Sequence, residues 1–198
     1  MRYLPGEKFL MPFQDQPFNG DRFAAEKFLS LKGKFGIETV MELGTCVGGT
    51  TKWFSQNFKK VIGIEIMWDY LNIAAERVGY SDSDVTFYEG STVDVLPKVL
   101  KDIHEPVLMF IDSHWGEYNP LLRELEIIAE HKLKPVICIH DFKVPNRSDL
   151  GFDTYGDIVY EWSWIEPSIK KIYGDDFVME YNKRASGAKR GMVFIYPK

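Results

Sequence analysis

Val40-Met41-Glu42-Leu43-Gly44-Thr45-Cys46-Val47-Gly48-Gly49-Thr50-Thr51 is the stretch on which the reading of this chain turns. An apolar run over residues 38–43 breaks at Gly44 into small residues, and a helical stretch carrying Trp53 and Phe54 opens near Gly48. That order reads as strand, turn and helix. Glycine at the break lets the backbone take positive φ and leaves room for a ligand against the main chain. The dinucleotide fingerprint G-x-G-x-x-G would need glycine where the chain has Cys46, so a pyrophosphate there would meet a side chain.

The pattern that the stretch does meet is E-x-G-x-x-x-G, through Glu42, Gly44 and Gly48. Here the chain resembles motif I of the class I S-adenosylmethionine-dependent methyltransferases. The resemblance implies that Glu42, Gly44, Thr45, Cys46 and Gly48 border the methionine part of a cofactor that has no phosphate.

Working outward, the second strand is expected at residues 61–66, V-I-G-I-E-I, with Glu65 at its carboxyl end and Ile66 beside it. Ligands of open parallel sheets lie beyond the carboxyl ends of the strands, and an acidic residue about 20 positions after the glycine turn can accept from both ribose hydroxyls. A third strand at 85–88 leads into Gly90, Ser91 and Thr92, where the resemblance places a small polar residue at the adenine edge. A helix cap at Ser91 accounts for the serine equally well.

A fourth strand at 107–111 ends in I-D-S-H-W-G-E-Y, and a fifth at 135–139 ends in H-D-F. Two neighbouring strands thus bring Asp112 and His114 close to His140 and Asp141. Methyl transfer from a sulfonium to oxygen needs the nucleophile aligned and its proton removed, by a general base or by a metal that lowers the hydroxyl pKa. These four residues are the catalytic candidates. The two strand ends resemble those of the metal-dependent O-methyltransferases, including the catechol type and the sugar O-methyltransferases of macrolide pathways. Carried over, Asp112 or His114 is the first metal ligand, and His140 with Asp141 the pair. The departure is His140, where those enzymes offer a carboxylate; imidazole suits manganese or iron better than magnesium. A metal-free arrangement, with His140 or His114 as base and Asp112 or Asp141 orienting it, stays open beside it.

The remaining chain is consistent with this order. A helix over 21–34 is expected to bury Phe23, Ala24, Phe28 and Leu31 and to stop at Gly33 or Gly36. Another starts at 69, with Tyr70, Ile73, Ala74 and Arg77 at helical spacing, and Leu121, Leu122, Leu125, Ile128 and Ala129 form an apolar stripe behind Asn119-Pro120. Residues 143–156 form the longest loop, expected to be a lid or substrate wall. An aromatic segment with Tyr155, Tyr160, Trp162 and Trp164 is expected to be helical until Pro167 interrupts it. Trp115, Tyr118, Tyr155, Trp162 and Trp164 are candidates for an acceptor pocket as well as for core packing. Two strand-like runs separated by N-K-R-A-S-G-A-K-R close the chain as an antiparallel hairpin. The fold class expected is therefore α/β, a Rossmann-like three-layer sandwich with a seven-stranded, mostly parallel sheet. One domain spans 1–198, with an arm and helix at 1–36, a cofactor half at 37–142 and a substrate half at 143–198.

Composition bounds the partners. With 45% apolar residues in 198, the chain can build one sizeable core, and a net charge of −5 with interleaved signs offers no nucleic-acid surface. No apolar run approaches the roughly 20 residues that span a bilayer, and the first residues lack a signal-peptide core, so a cytoplasmic protein with no membrane contact is expected. Cys46 and Cys138 have no C-x-x-C partner and read as free thiols. The Pro- and Phe-rich arm, with Pro5, Phe9, Pro12, Phe13, Pro17 and Phe18, is expected to pack on the body, line the substrate or form a homodimer contact. The function expected is methyl transfer from S-adenosylmethionine to a small-molecule acceptor, at oxygen, with magnesium, manganese or iron as a possible divalent metal. The alternatives are a metal-dependent hydroxylase-like relative on the same fold and a non-catalytic S-adenosylmethionine-binding protein.

Overall fold

Alternation of side chains along five parallel strands divides the core into two layers. The computed structural model describes Phe13 and residues 15–198. In chain order the parallel strands are β1 (Thr39–Leu43), β2 (Lys60–Glu65), β3 (Asp84–Glu89), β4 (Val107–Ile111) and β5 (Val136–His140). A short hairpin, β6 (Thr154–Tyr155) with β7 (Ile158–Val159), stands apart from the sheet. Antiparallel β8 (Phe177–Tyr181) and β9 (Met192–Pro197) complete the order β3-β2-β1-β4-β5-β9-β8, with β9 lying between β5 and β8.

Because successive residues of a strand face opposite sides, Met41, Leu43, Met109, Ile111, Ile137 and Ile139 join one cluster, against α4 (Thr92–Val99), α5 (Leu121–Glu130) and α6 (Trp162–Tyr173). Val40, Leu108, Phe110, Val136 and Cys138 join the other, against α1 (Arg22–Phe35) and α2 (Gly49–Asn57). α3 (Trp68–Val78) packs beside α2. The second layer is unusually aromatic. Phe28 lies 4.6 Å from Phe18 and 5.4 Å from Phe54, ring centre to ring centre, and Phe110 reaches all three. Stacked and edge-to-face pairs of this kind add to the apolar area each ring buries.

Two expectations need correction. Tyr155 and Tyr160 are not helical: Tyr155 belongs to β6 and Tyr160 precedes α6. Pro167 does not interrupt α6, which runs through to Tyr173. The ring is exposed, as is Ser163 four residues earlier, so the carbonyl that loses its hydrogen-bond partner is on the watered side of the helix. The helix expected from 69 is α3, which buries Leu71, Ala74 and Val78 and exposes Ile73. Of the arm, Pro5, Phe9 and Pro12 lie outside the described residues. Phe18 is fully buried in the aromatic layer, as the packing expectation required.

Candidate active site at the carboxyl edge of the sheet

Strand β1 ends where the chain must turn sharply, and the turn residues are fixed by what packs on them. Gly44 has φ +90°, and a Cβ there would collide with the carbonyl oxygen of Asp112 at the end of β4. Gly48 has φ +78°, and its Cβ would come within 2.6 Å of Ala74 Cα in α3. Part of the space that glycine leaves is thus filled by neighbouring backbone, and the turn is pinned to β4 and α3. Cys46 also has positive φ, at 46°. Thr45 is buried, and its hydroxyl has no hydrogen-bond partner.

Glu65, the last residue of β2, is 6% exposed. Its two carboxylate oxygens accept the N–H groups of Cys46 at 2.8 Å and Met67 at 2.9 Å, which ties the glycine turn to the end of β2. Burial raises its pKa against the pull of those amides. Ile66 and Met67 beside it are about half exposed, an apolar border to the same edge. Glu42 faces the aromatic layer, fully buried, and accepts from the Thr51 hydroxyl at 2.5 Å. Burial holds its pKa well above the usual carboxyl value. Burial also pushes the Cys46 thiol up to about 12. Gly90, Ser91 and Thr92 begin α4, and the Ser91 hydroxyl does not cap the helix but lies 2.6 Å from the Tyr118 hydroxyl.

The ends of β4 and β5 carry the second group. His140 continues the alternation of Val136 and Cys138, so it turns toward the aromatic layer, its ring 5.8 Å from that of Phe110. It is 1% exposed, and neither ring nitrogen has a well-directed hydrogen bond. Carboxylate oxygens of Asp141 and Asp112 nevertheless stand 3.1 and 3.3 Å from its Nδ1. Asp141 leaves the strand with φ +56°, a conformation that non-glycine residues rarely adopt and that concentrates at functional positions. His114 Nε2 lies 3.3 Å from Asp141, 3.5 Å from Asp153 and 3.8 Å from Asp112. Its ring packs on Tyr160 at 4.8 Å and Tyr155 at 6.0 Å.

The charges follow from this crowding. Burial works against protonating His140, but the charges of Asp112 and Asp141 outweigh it and raise the pKa well above the ordinary imidazole value. His114 is raised in the same way, against burial, by Asp141, Asp112 and Asp153. Burial opposes the Asp141 carboxylate, yet His140, His114 and Arg190 together hold its pKa well below the usual range.

All four residues expected at this edge are therefore together, and three participants were not anticipated. Asp153 comes from the long loop after β5. Arg190 comes from the β8–β9 loop and donates to both Asp141 and Asp153. Tyr160, whose hydroxyl donates to Asn119 at 2.6 Å, closes the apolar side of His114. Of the other aromatics, Trp164 stacks on Tyr160 at 5.1 Å and Trp162 tilts against Phe177 at 5.7 Å, both packed on the core, while Trp115 is 57% exposed. A cavity of about 260 Å³ between Phe35, Ile37, Val107 and Val136 opens at the opposite, amino edge of the sheet and is remote from this group.

Solved structures with the same arrangement of elements include an O-methyltransferase from Bacillus cereus in complex with S-adenosylhomocysteine. It is 16% identical, with a TM-score of 0.61 over 89% of this chain and 81% of that one. The O-methyltransferase TomG from Streptomyces achromogenes, involved in tomaymycin synthesis and bound to S-adenosylmethionine, is 14% identical, with a TM-score of 0.65 over 88% and 80%. The chain has the class I methyltransferase fold. That fold alone does not select the reaction, since a protein named precorrin 8w decarboxylase from Methanobacterium thermoautotrophicum matches at 15% identity and a TM-score of 0.50, over 96% of this chain and all of that one. No family model and no curated relative matches the sequence.

Proposed function

We propose that this protein transfers a methyl group from S-adenosylmethionine to an oxygen of a small-molecule acceptor at the carboxyl edge of its sheet. The observation that carries the reading is the contact between the two halves of that edge: Gly44 of the glycine turn lies directly against the backbone of Asp112, the first residue of the acid-imidazole group. A donor held by the turn and an acceptor held by the group would be neighbours. Such proximity supplies much of the rate in an in-line displacement.

S-adenosylmethionine, when bound, supplies a methyl on a positively charged sulfur. Glu65 is oriented by two backbone amides to receive the ribose hydroxyls on its remaining lone pairs. Ile66 borders the adenine, and Gly90, Ser91 and Thr92 offer the polar edge beside it. Thr45 brings an unpartnered hydroxyl to the methionine side, with Gly44, Cys46 and Gly48 forming the turn. Glu42 acts from beneath, by fixing β1 to α2 through Thr51. Asp112 faces the acceptor and positions its hydroxyl, and His140 or His114 takes the proton. Because their neighbouring carboxylates raise both imidazoles, the basic form grows in above the ordinary pKa of 6.5.

The donor set Asp112, His140 and Asp141, one nitrogen and two oxygens, has the composition of a divalent-cation site, but Asp141 is already paired with Arg190. Were an ion held there, such a set would favour manganese or iron over magnesium, and the ion would lower the acceptor hydroxyl pKa.

The reading is tested with methyl-labelled S-adenosylmethionine and a panel of small hydroxylated acceptors. Asp112→Asn and His140→Asn should each lower kcat by about 100-fold or more, with S-adenosylhomocysteine still bound. Transfer that survives both substitutions unchanged would contradict the assignment.

A further inference from the structure

Arg190 reaches the edge from a loop that looks like a solvated hairpin connection, yet its place is built from both sides. Gly151 leaves the gap in which the guanidinium lies: a Cβ at 151 would stand 2.7 Å from Arg190 Nη1. The backbone around it is tied to the residues it serves. Phe142 N–H donates to Gly191 at 2.9 Å, Gly151 to Lys189 at 2.8 Å, Gly191 to Gly151 at 2.8 Å, and Asp153 to Asp141 at 2.9 Å. From this frame Nε donates to Asp141 Oδ1 and Nη2 to Asp153 Oδ1.

Asp141 Oδ1 is the same oxygen that stands 3.1 Å from His140 Nδ1. The atom that would complete a ligand set with Asp112 and His140 therefore already carries a cation. A guanidinium keeps its charge at any ordinary pH and its fork matches two carboxylates at once. A divalent ion at this oxygen would face that charge at close range or have to displace it.

We propose that Arg190 is a positioning residue that supplies the fixed cation of this edge, holding Asp141 and Asp153 together in place of a divalent ion and keeping such an ion from Asp112, His140 and Asp141. The inference concerns the charge balance of the edge and stands whichever reaction is carried out there.

The test is titration of the full chain with manganese(II), followed by the electron paramagnetic resonance signal of the free ion. The wild type should leave the ion free until millimolar concentrations. Arg190→Met, which removes the charge, should bind on the order of ten-fold tighter or more, and adding Asp112→Asn should abolish that gain. Arg190→Lys keeps a charge and should stay close to the wild type. Micromolar binding by the wild type, or an Arg190→Met protein that binds no tighter, would overturn the proposal. Bound S-adenosylhomocysteine or a cooperative thermal transition reports whether Arg190→Met is folded; should it not be, the wild-type titration alone decides between the two outcomes. Neither result depends on methyl transfer being observed.

Discussion

At the scale of single residues, two acids of the carboxyl edge are held in opposite states by their surroundings. Asp141 is kept ionised by two imidazoles and a guanidinium, whereas Glu42 is pushed toward its neutral form by burial, against the Thr51 hydroxyl and with Asp112 and Glu65 adding repulsion. A carboxyl whose native pKa lies above its unfolded value binds its proton more tightly in the native state. Its contribution to stability is therefore fully present below its ordinary value of 4.5 and is lost as pH rises through the raised native pKa. Glu42→Gln keeps an oxygen for Thr51 and removes the titration. Its Tm should fall less steeply than that of the wild type as pH is raised above 4.5. Parallel curves for the two proteins would show that Glu42 does not carry the shift. Asp112, His114, His140 and Asp141 were legible in the sequence because each ends, or lies within three residues after, an apolar run that must be a buried strand. Arg190 was not, since Lys183, Arg184, Lys189 and Arg190 are alike in a polar loop and only the packing against Gly151 distinguishes the last.

At the scale of elements, the glycine turn works as a joint between strands beside the ligand seat proposed for it. Gly44 and Gly36 both have positive φ, but only Gly44 meets backbone: nothing lies within 4 Å of the Cβ that would be added at Gly36. Gly36→Ala should then cost only backbone strain, about 1 kcal/mol. Gly44→Ala adds a collision with Asp112 and should cost more than ~2 kcal/mol. Urea denaturation of the two variants separates these effects; equal losses would mean that the approach of β4 does not restrict the turn. The sequence showed that glycine belonged here, but it could not show that the neighbour would be Asp112 rather than a ligand alone. The same limit applies to α6. Pro167 reads as a breaker, and it is the exposure of the ring and of Ser163 that lets the helix continue.

At the scale of the molecule, the seven-stranded, mostly parallel sheet between helical layers and its antiparallel end follow from apolar strands and periodic helices, and these were readable; the order of the strands in the sheet was not. The long loop after β5 was readable only as a loop. Its hairpin β6–β7, and the ties that bring Asp153 and Arg190 to one carboxylate, depend on contacts between segments far apart in the chain. Among the described residues no helix is long and apolar enough to cross a membrane. On the proposed reading, what turns a fold shared by several chemistries into a methyltransferase is the cofactor seat, with Glu65 as its most specific residue. The most direct measurement is calorimetric titration of the full chain with S-adenosylhomocysteine beside Glu65→Ala. The account predicts micromolar binding by the wild type and a loss of about ten-fold or more in the variant, as expected when a charged hydrogen-bond partner is removed. Absence of binding by the wild type, or equal affinity in the two proteins, would contradict it.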